Sequence, residues 1–203
     1  MQGRALHRRL LMRQVLSRSA RVVAISAHTR EQAIRFGARA KSVEILIATD
    51  LSRLAAVDRA ESRRLLGMSG DPLLLTVSRI VERKGHDQVI RAVARLKGSF
   101  PNIRYYIAGT GPDKGRLEKL ILDCDCTKHV SFPGLVPEEN LAALYSAADL
   151  FVMPNRELPS GEIEGFGLVF LESGACGVPS VGGRSGSTSA IVEGETGLLV
   201  EPF

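Results

Sequence analysis

Short apolar runs rich in β-branched residues alternate along this chain with segments whose apolar positions recur every three to four residues. Leu73–Val77 reads Leu-Leu-Leu-Thr-Val, the continuous run expected of a strand buried on both faces. Arg21–Ile25, Val43–Ile47, Ile103–Ala108, Val130–Phe132, Leu150–Met153, Pro179–Val181 and Leu198–Val200 are the other predicted strands. His86–Lys97 carries Val89, Ile90, Val93 and Leu96 on one helical stripe. Further helices are predicted at Thr29–Phe36, Lys114–Leu122, Glu138–Ala147 and Leu168–Ala175. Ser26 is placed to cap the first of these and Gly37 to end it. Strand-helix alternation at this spacing predicts an α/β fold with a doubly wound parallel sheet. Ligands of such sheets sit beyond the carboxyl ends of the strands. The chemistry is therefore expected in the loops after Val77, Ala108, Phe132 and Met153.

Leu51–Ser69 is polar and Arg/Glu-rich with a helical centre, and it separates the first strand-helix-strand unit from the rest. It divides the chain into residues 1–50 and 51–203. Charge is unevenly distributed. The formal net charge is +5, yet residues 1–21 alone hold six arginines and no acid, which leaves the remainder close to neutral. A nucleic-acid binder spreads basic residues over a folded face with aromatics for stacking. Here tryptophan is absent and no reading motif follows, so a nucleic-acid partner is not expected. Leu6, Leu10, Leu11, Val15 and Leu16 share the arginine-rich segment. It reads as a helix whose apolar stripe packs on its own protein, with contact to an anionic membrane surface as the alternative. No run reaches the roughly 18 apolar residues of a membrane span, and no secretory signal is legible. Cys124, Cys126 and Cys176 have neither zinc spacing nor a histidine pair, as expected of reduced thiols in a cytoplasmic protein.

Three segments carry candidate chemistry. Ser78–Gly85 delivers Arg79 and Lys84 beside a helix N-terminus, an environment that suits a diphosphate. Ion pairing with Glu82 and solvent is the competing reading. Gly109-Thr110-Gly111-Pro112 permits a tight turn or a close backbone approach, but lacks the third glycine of a dinucleotide fingerprint. A nicotinamide-dependent oxidoreductase is accordingly disfavoured. The third segment runs from Gly161 to Glu172. Gly165-Phe166-Gly167-Leu168 would present free N–H groups at the start of a helix. Glu164 and Glu172 would differ by about 80° if both were helical, so Glu164 is expected in the loop and Glu172 one to two turns in. A carboxylate can accept from two vicinal sugar hydroxyls.

These residues make the sequence recognisable. Ser-Arg-x4-Lys-Gly at 78–85, Gly109–Pro112, Phe132-Pro133-Gly134, Ala148–Pro154 and Glu164-x7-Glu172 resemble, in order and spacing, the C-terminal domain of family 4 retaining glycosyltransferases. The stretch from Arg156 through Glu172 is most similar to the phosphatidylinositol mannosyltransferase-like and polysaccharide-assembly branches. The resemblance implies a Rossmann-like domain that binds a UDP- or GDP-linked sugar for hexosyl transfer to a glycan or lipid-linked acceptor, without cofactor or metal. Arg79 and Lys84 would hold the diphosphate. Glu164 and the backbone of Gly165, Phe166 and Gly167 would hold the transferred sugar, and the Leu168 N–H a phosphate. Glu172 would hold the ribose, and Leu135 and Val136 would line the base pocket. Arg79, Lys84 and Glu164 are the expected catalytic set.

The chain is roughly half the family's length. Residues 1–50 resemble only the end of its acceptor-binding domain, and the donor domain is expected to be truncated at its C-terminal end. Ala48-Thr49-Asp50-Leu51 replaces the family's Asn-Gly-Val-Asp crossover. Gly186–Ala190 replaces Gly-Gly-x-Pro-Glu, with loss of an acid at Ala190. Turnover is therefore expected to need an acceptor domain. A non-catalytic sugar-nucleotide-binding module that works with a partner chain is the alternative.

Overall fold

A computed structural model describes residues 2–45, 49–185 and 188–202. Leu46 and Ile47 of the second predicted strand, Ala48 of the crossover and Gly186 and Ser187 of the C-terminal motif lie outside the described residues. The chain separates into two compact units, 1–49 and 50–203.

In the first unit, α1 (Gln2–Arg18) is followed by β1 (Val22–Ala24), α2 (Ala27–Arg35) and β2 (Val43–Ile45). The two strands pair in parallel, with Val22 opposite Val43. The Ser26 side chain accepts from the Thr29 N–H at 3.1 Å while Thr29 Oγ1 accepts from the Ser26 N–H at 2.9 Å. This reciprocal cap sets the start of α2 two residues before the predicted one. Ala24, Ala38 and Val43 form a small core that Leu16 of α1 joins. Leu10, Leu11 and Val15 remain 59%, 53% and 55% exposed. Self-packing of the predicted stripe thus extends to Leu16 and not to these three.

In the second unit, α3 (Arg59–Leu66) precedes a six-stranded parallel sheet of β3 (Leu73–Val77), β4 (Arg104–Ala108), β5 (Val130–Gly134), β6 (Leu150–Met153), β7 (Ser180–Gly183) and β8 (Gly197–Val200). The connecting helices are α4 (His86–Leu96), α5 (Lys114–Asp123), α6 (Leu141–Ser146) and α7 (Leu168–Ala175). The strand order is β5-β4-β3-β6-β7-β8. The chain winds outward from β3 to β5, returns to place β6 beside β3, then winds the other way. Strand order therefore reverses between β3 and β6, the position where doubly wound sheets open a crevice at their carboxyl ends.

Alternation within the strands supplies both faces, as period-2 geometry requires. Leu73, Leu75, Phe151 and Met153 face α6 and α7 with Leu144, Tyr145 and Phe170. Leu74 and Tyr105 face α4 and α5 with Val89, Ile90, Val93, Leu117 and Ile121. Asp149, just before β6, ties α3 to the sheet. Its Oδ2 accepts from Arg63 Nη2 and from the Leu73 N–H, both at 2.7 Å. The predicted helix over 138–147 differs in its first turn. Glu138–Asn140 winds as a 3-10 turn behind Pro137, and α6 proper begins at Leu141.

Candidate active site

The loops leaving β3 and β6 meet at the reversal point. The β3 loop is held from below by Ile80, which is fully buried, and turns through Glu82–Lys84 into Gly85. Gly85 has φ 76°, and a Cβ there would lie 2.2 Å from the Pro154 carbonyl oxygen. Only glycine allows this loop to lie against the exit of β6. That approach brings Lys84 onto Glu164 of the β6–α7 loop. Lys84 Nζ and Arg83 Nη1 both donate to Glu164 Oε2, the second at 2.7 Å. Among the described residues, no bond falls on Oε1. The three side chains are 9%, 25% and 13% exposed for Lys84, Arg83 and Glu164.

Burial would raise the Glu164 pKa, but Lys84 and Arg83 outweigh it and hold the carboxyl below its usual range. Burial lowers the Lys84 pKa, and Glu164 offsets this only in part. Glu164 therefore contributes stability that is fully present above the ordinary glutamate value of 4.5 and is lost as pH falls through the depressed folded value. Glu164→Gln is expected to flatten the fall of the unfolding midpoint below that pH. An unchanged acid limb in a thermal-melt series would show that the pairing carries no such linkage.

A second strap lies alongside. Arg156, 12% exposed, places Nη1 and Nη2 at 3.0 and 3.2 Å from the two carboxylate oxygens of Asp87, the second residue of α4. Its N–H donates to the Arg83 carbonyl at 2.9 Å. The fork holds the Glu164 loop against α4 in the planar geometry that arginine and carboxylate share.

Beside the reversal point, a cleft of about 510 Å³ runs over the ends of β3, β4 and β5, lined by Ser78, Arg79, Gly109, Gly111, Leu135 and Val136 among others. Arg79 is exposed and, among the described residues, makes no side-chain hydrogen bond or ion pair, so the competing reading of a pair with Glu82 is not met at Arg79. Leu135 stands at the rim, 76% exposed, whereas Val136 packs partly into the core. Gly109 and Gly111 have a role that the sequence left open. A Cβ on either would lie 2.0 Å from the carbonyl of Ser78 or Ile80. The structure shows a close approach between two loops here, and the Ile80 N–H to Thr110 carbonyl bond of 2.8 Å seals it.

Glu164 lies in the loop ahead of α7 and Glu172 is its fifth residue, as the spacing predicts. Gly167 precedes α7 at φ 81° and has no side chain to cap it, so among the described residues the first-turn N–H groups at Leu168 have no side-chain partner. Gly165 belongs to the same loop, whereas the Phe166 ring is buried in the core. The Glu172 carboxylate accepts from the Tyr145 hydroxyl at 2.5 Å. Val169 and Leu141, which line the cleft, lie one helical turn before Glu172 and Tyr145 respectively. Glu172 is thus carried on the same helix as the cleft-lining Val169, and its hydrogen-bond partner is Tyr145. The structure pairs Lys84 with Glu164 at the reversal point, while Arg79 lines the cleft beside it together with Val169 of α7, the helix that carries Glu172. Arg83, Tyr145, Arg156 and Asp87 were not predicted as site residues. Adjacency to Lys84 was the only sequence signal for Arg83, and none marks Tyr145 as the partner of Glu172. Among the described residues no group of three or more potential metal ligands occurs, all three cysteines are free, and no helix is long and apolar enough to cross a membrane.

The fold is the Rossmann-like α/β fold of the C-terminal domains of two-domain glycosyltransferases. HepE of Anabaena, solved with UDP, superposes with a TM-score of 0.83 at 22% identity, over 96% of this chain and 54% of that one. Sucrose-phosphate synthase of Thermosynechococcus elongatus does so with 0.82 at 28%, over 97% and 49%. The profile of the family described as "Glycosyl transferases group 1" matches residues 58–203, and the chain belongs to that family. It is 37% identical to the GDP-mannose-dependent alpha-(1-6)-phosphatidylinositol monomannoside mannosyltransferase of Mycolicibacterium smegmatis, over 89% of this chain and 48% of the relative. A D-inositol 3-phosphate glycosyltransferase of Pseudarthrobacter chlorophenolicus is 35% identical over 93% and 45%. The chain thus spans about half the length of the curated relatives it matches.

Proposed function

We propose that residues 50–203 bind a nucleotide-diphosphate sugar in the cleft beside the β3/β6 reversal, and that the whole protein transfers the hexosyl group with retention to a lipid-linked or glycan acceptor. Residues 1–49 are read as the end of an acceptor-binding half. Guanine is the favoured base and GDP-mannose the favoured donor, because the 37%-identical mannosyltransferase is GDP-mannose-dependent. The observation that carries the reading is Arg79: a guanidinium that lines a cleft, has no partner among the described residues, and lies one loop turn from the buried Lys84. Loss of the diphosphate from an anomeric carbon builds negative charge on the leaving group. Cations fixed in advance at that charge stabilise the transition state without reorganising. In this reading Arg79 and Lys84 supply that stabilisation without a metal.

The remaining groups divide the rest of the donor. Glu164, whose Oε1 has no partner among the described residues, takes sugar hydroxyls together with the backbone of Gly165, Phe166 and Gly167. The Leu168 N–H meets a phosphate. Glu172 accepts from ribose hydroxyls with the lone pairs that Tyr145 does not use. Leu135 and Val136 border the base. Calorimetric titration with GDP, UDP, ADP and GDP-mannose, each with and without EDTA, tests this. The expected result is guanine-selective binding that EDTA leaves unchanged, with transfer by the whole protein giving a product of the donor's anomeric configuration. A folded sample that binds none of the four overturns it.

A further inference from the structure

We infer that Ser78 and His86 are positioning residues for Arg79, acting through a hydrogen-bond chain of fixed direction that runs from the β6 backbone, through the sheet interior, to the root of the β3 loop. This rests on the donor-binding reading above. The chain links Val152, Thr76, Tyr105, His86 and Ser78, and its direction follows from one end. The Val152 carbonyl can only accept, so the Thr76 hydroxyl donates to it. Thr76 has then spent its proton, and Tyr105, 2.8 Å away, must donate to Thr76 Oγ1. Tyr105 has spent its proton in turn, so His86 Nδ1, at 3.1 Å from the Tyr105 oxygen, carries a hydrogen and donates. A neutral imidazole with Nδ1–H has a bare Nε2, and Ser78 Oγ lies 3.2 Å from it. The Ser78 hydroxyl also lies 3.2 Å from the Arg79 carbonyl, but that oxygen already accepts from the Val81 N–H at 3.0 Å. The Arg79 carbonyl could accept a second time, but it is satisfied without Ser78, whereas a buried, bare Nε2 that Ser78 turned away from would be left without a donor. The single serine proton is therefore assigned to Nε2.

Burial supports the assignment. Thr76 and Tyr105 are 0% exposed and His86 is 2% exposed. Burial also pushes the His86 pKa down to about 4, which keeps the ring neutral. Three buried polar side chains that do nothing for the ligand would be an unneeded hazard in a parallel-sheet core, where apolar residues pack as well. What they achieve sits at the outer end. Among the described residues the Arg79 side chain has no partner, so its backbone root is where its direction is set. Ser78, the residue before it, is pinned to the fully buried ring. The pin holds Arg79 over the cleft without occupying its guanidinium.

The test compares GDP with GMP, since the gap between them reads the grip on the second phosphate. Calorimetry on the intact chain would use wild type, Ser78→Ala, His86→Asn and His86→Gln. Glutamine places an amide near Nε2 and can accept from Ser78; asparagine reaches only the Nδ1 position and cannot. Ser78→Ala and His86→Asn are expected to narrow the GDP/GMP gap about tenfold, as for one misplaced charge-assisted bond, with GMP affinity unchanged. His86→Gln is expected to recover most of the gap. Wild-type imidazole 15N shifts, which need no substitution, are expected to show Nδ1 protonated and Nε2 bare at neutral pH. A protonated Nε2, or a folded Ser78→Ala with an unchanged gap, overturns the inference. Should wild type bind no nucleotide, the donor reading fails and the positioning role falls with it, while the 15N shifts still decide the direction of the chain. Should wild type bind and the gap ignore both residues, the positioning role alone fails.

Discussion

Arg79→Ala is expected to weaken GDP binding by about 10- to 100-fold and to leave the unfolding midpoint unchanged. Both halves of the expectation come from the same observation. The side chain is exposed and, among the described residues, has neither an ion pair nor a hydrogen bond, so the fold loses nothing when it is removed. A charge-assisted bond to a diphosphate contributes about 1.5–3 kcal/mol, which gives the stated range. Lysine is expected to restore part of the loss, because it returns the charge without the two-pronged geometry. Titration calorimetry and a thermal melt on one preparation suffice. Unchanged GDP affinity would remove Arg79 from the site.

Lys84→Met is expected to separate binding from stability even more sharply. Removing one member of a buried ion pair ordinarily destabilises by about 3–5 kcal/mol, because the other charge is stranded. Here Glu164 keeps Arg83 at 2.7 Å. Burial also lowers the Lys84 pKa despite Glu164, so the folded state disfavours this charge relative to the unfolded chain. As with any base whose folded pKa is depressed, that penalty is present at neutral pH and disappears only as pH rises above the unfolded value. A flexible apolar side chain of similar length removes the penalty and fills the space. The unfolding midpoint should therefore hold or rise. GDP affinity should fall at least tenfold, and transfer by the whole protein about 100-fold or more, as when one preorganised charge is taken from a developing anion. A large drop in the midpoint would instead show that Lys84 is chiefly a structural tie.

The strands and helices could be read from the chain because their cause is local. Leu73–Val77 and Leu150–Met153 are continuous apolar runs, and the structure returns both with the predicted bounds. Leu168–Ala175 likewise begins where Gly167 stops and ends before Cys176. The loop position of Glu164 and the helical position of Glu172 followed from their spacing alone. Where local signals competed, the reading slipped: Pro137 ahead of two glutamates gave a 3-10 turn where periodicity suggested a full helix. The glycines of Gly109–Gly111 were ambiguous for a related reason. A sequence shows that side chains are absent but not what fills the space, and here the filler is the backbone of Ser78 and Ile80.

The order of apolar and polar residues determined by itself that this chain forms a doubly wound parallel sheet, and its motifs marked Arg79, Lys84, Glu164 and Glu172 as the residues to watch. Their pairing was decided only in three dimensions. Lys84 meets Glu164 across 80 residues because strand order reverses between β3 and β6, and Glu172 meets Tyr145 across 27 because α6 and α7 cover the same sheet face. Periodicity is a property of neighbours along the chain, whereas ion pairs and hydrogen bonds act over a few ångströms and depend on which strands the winding places side by side.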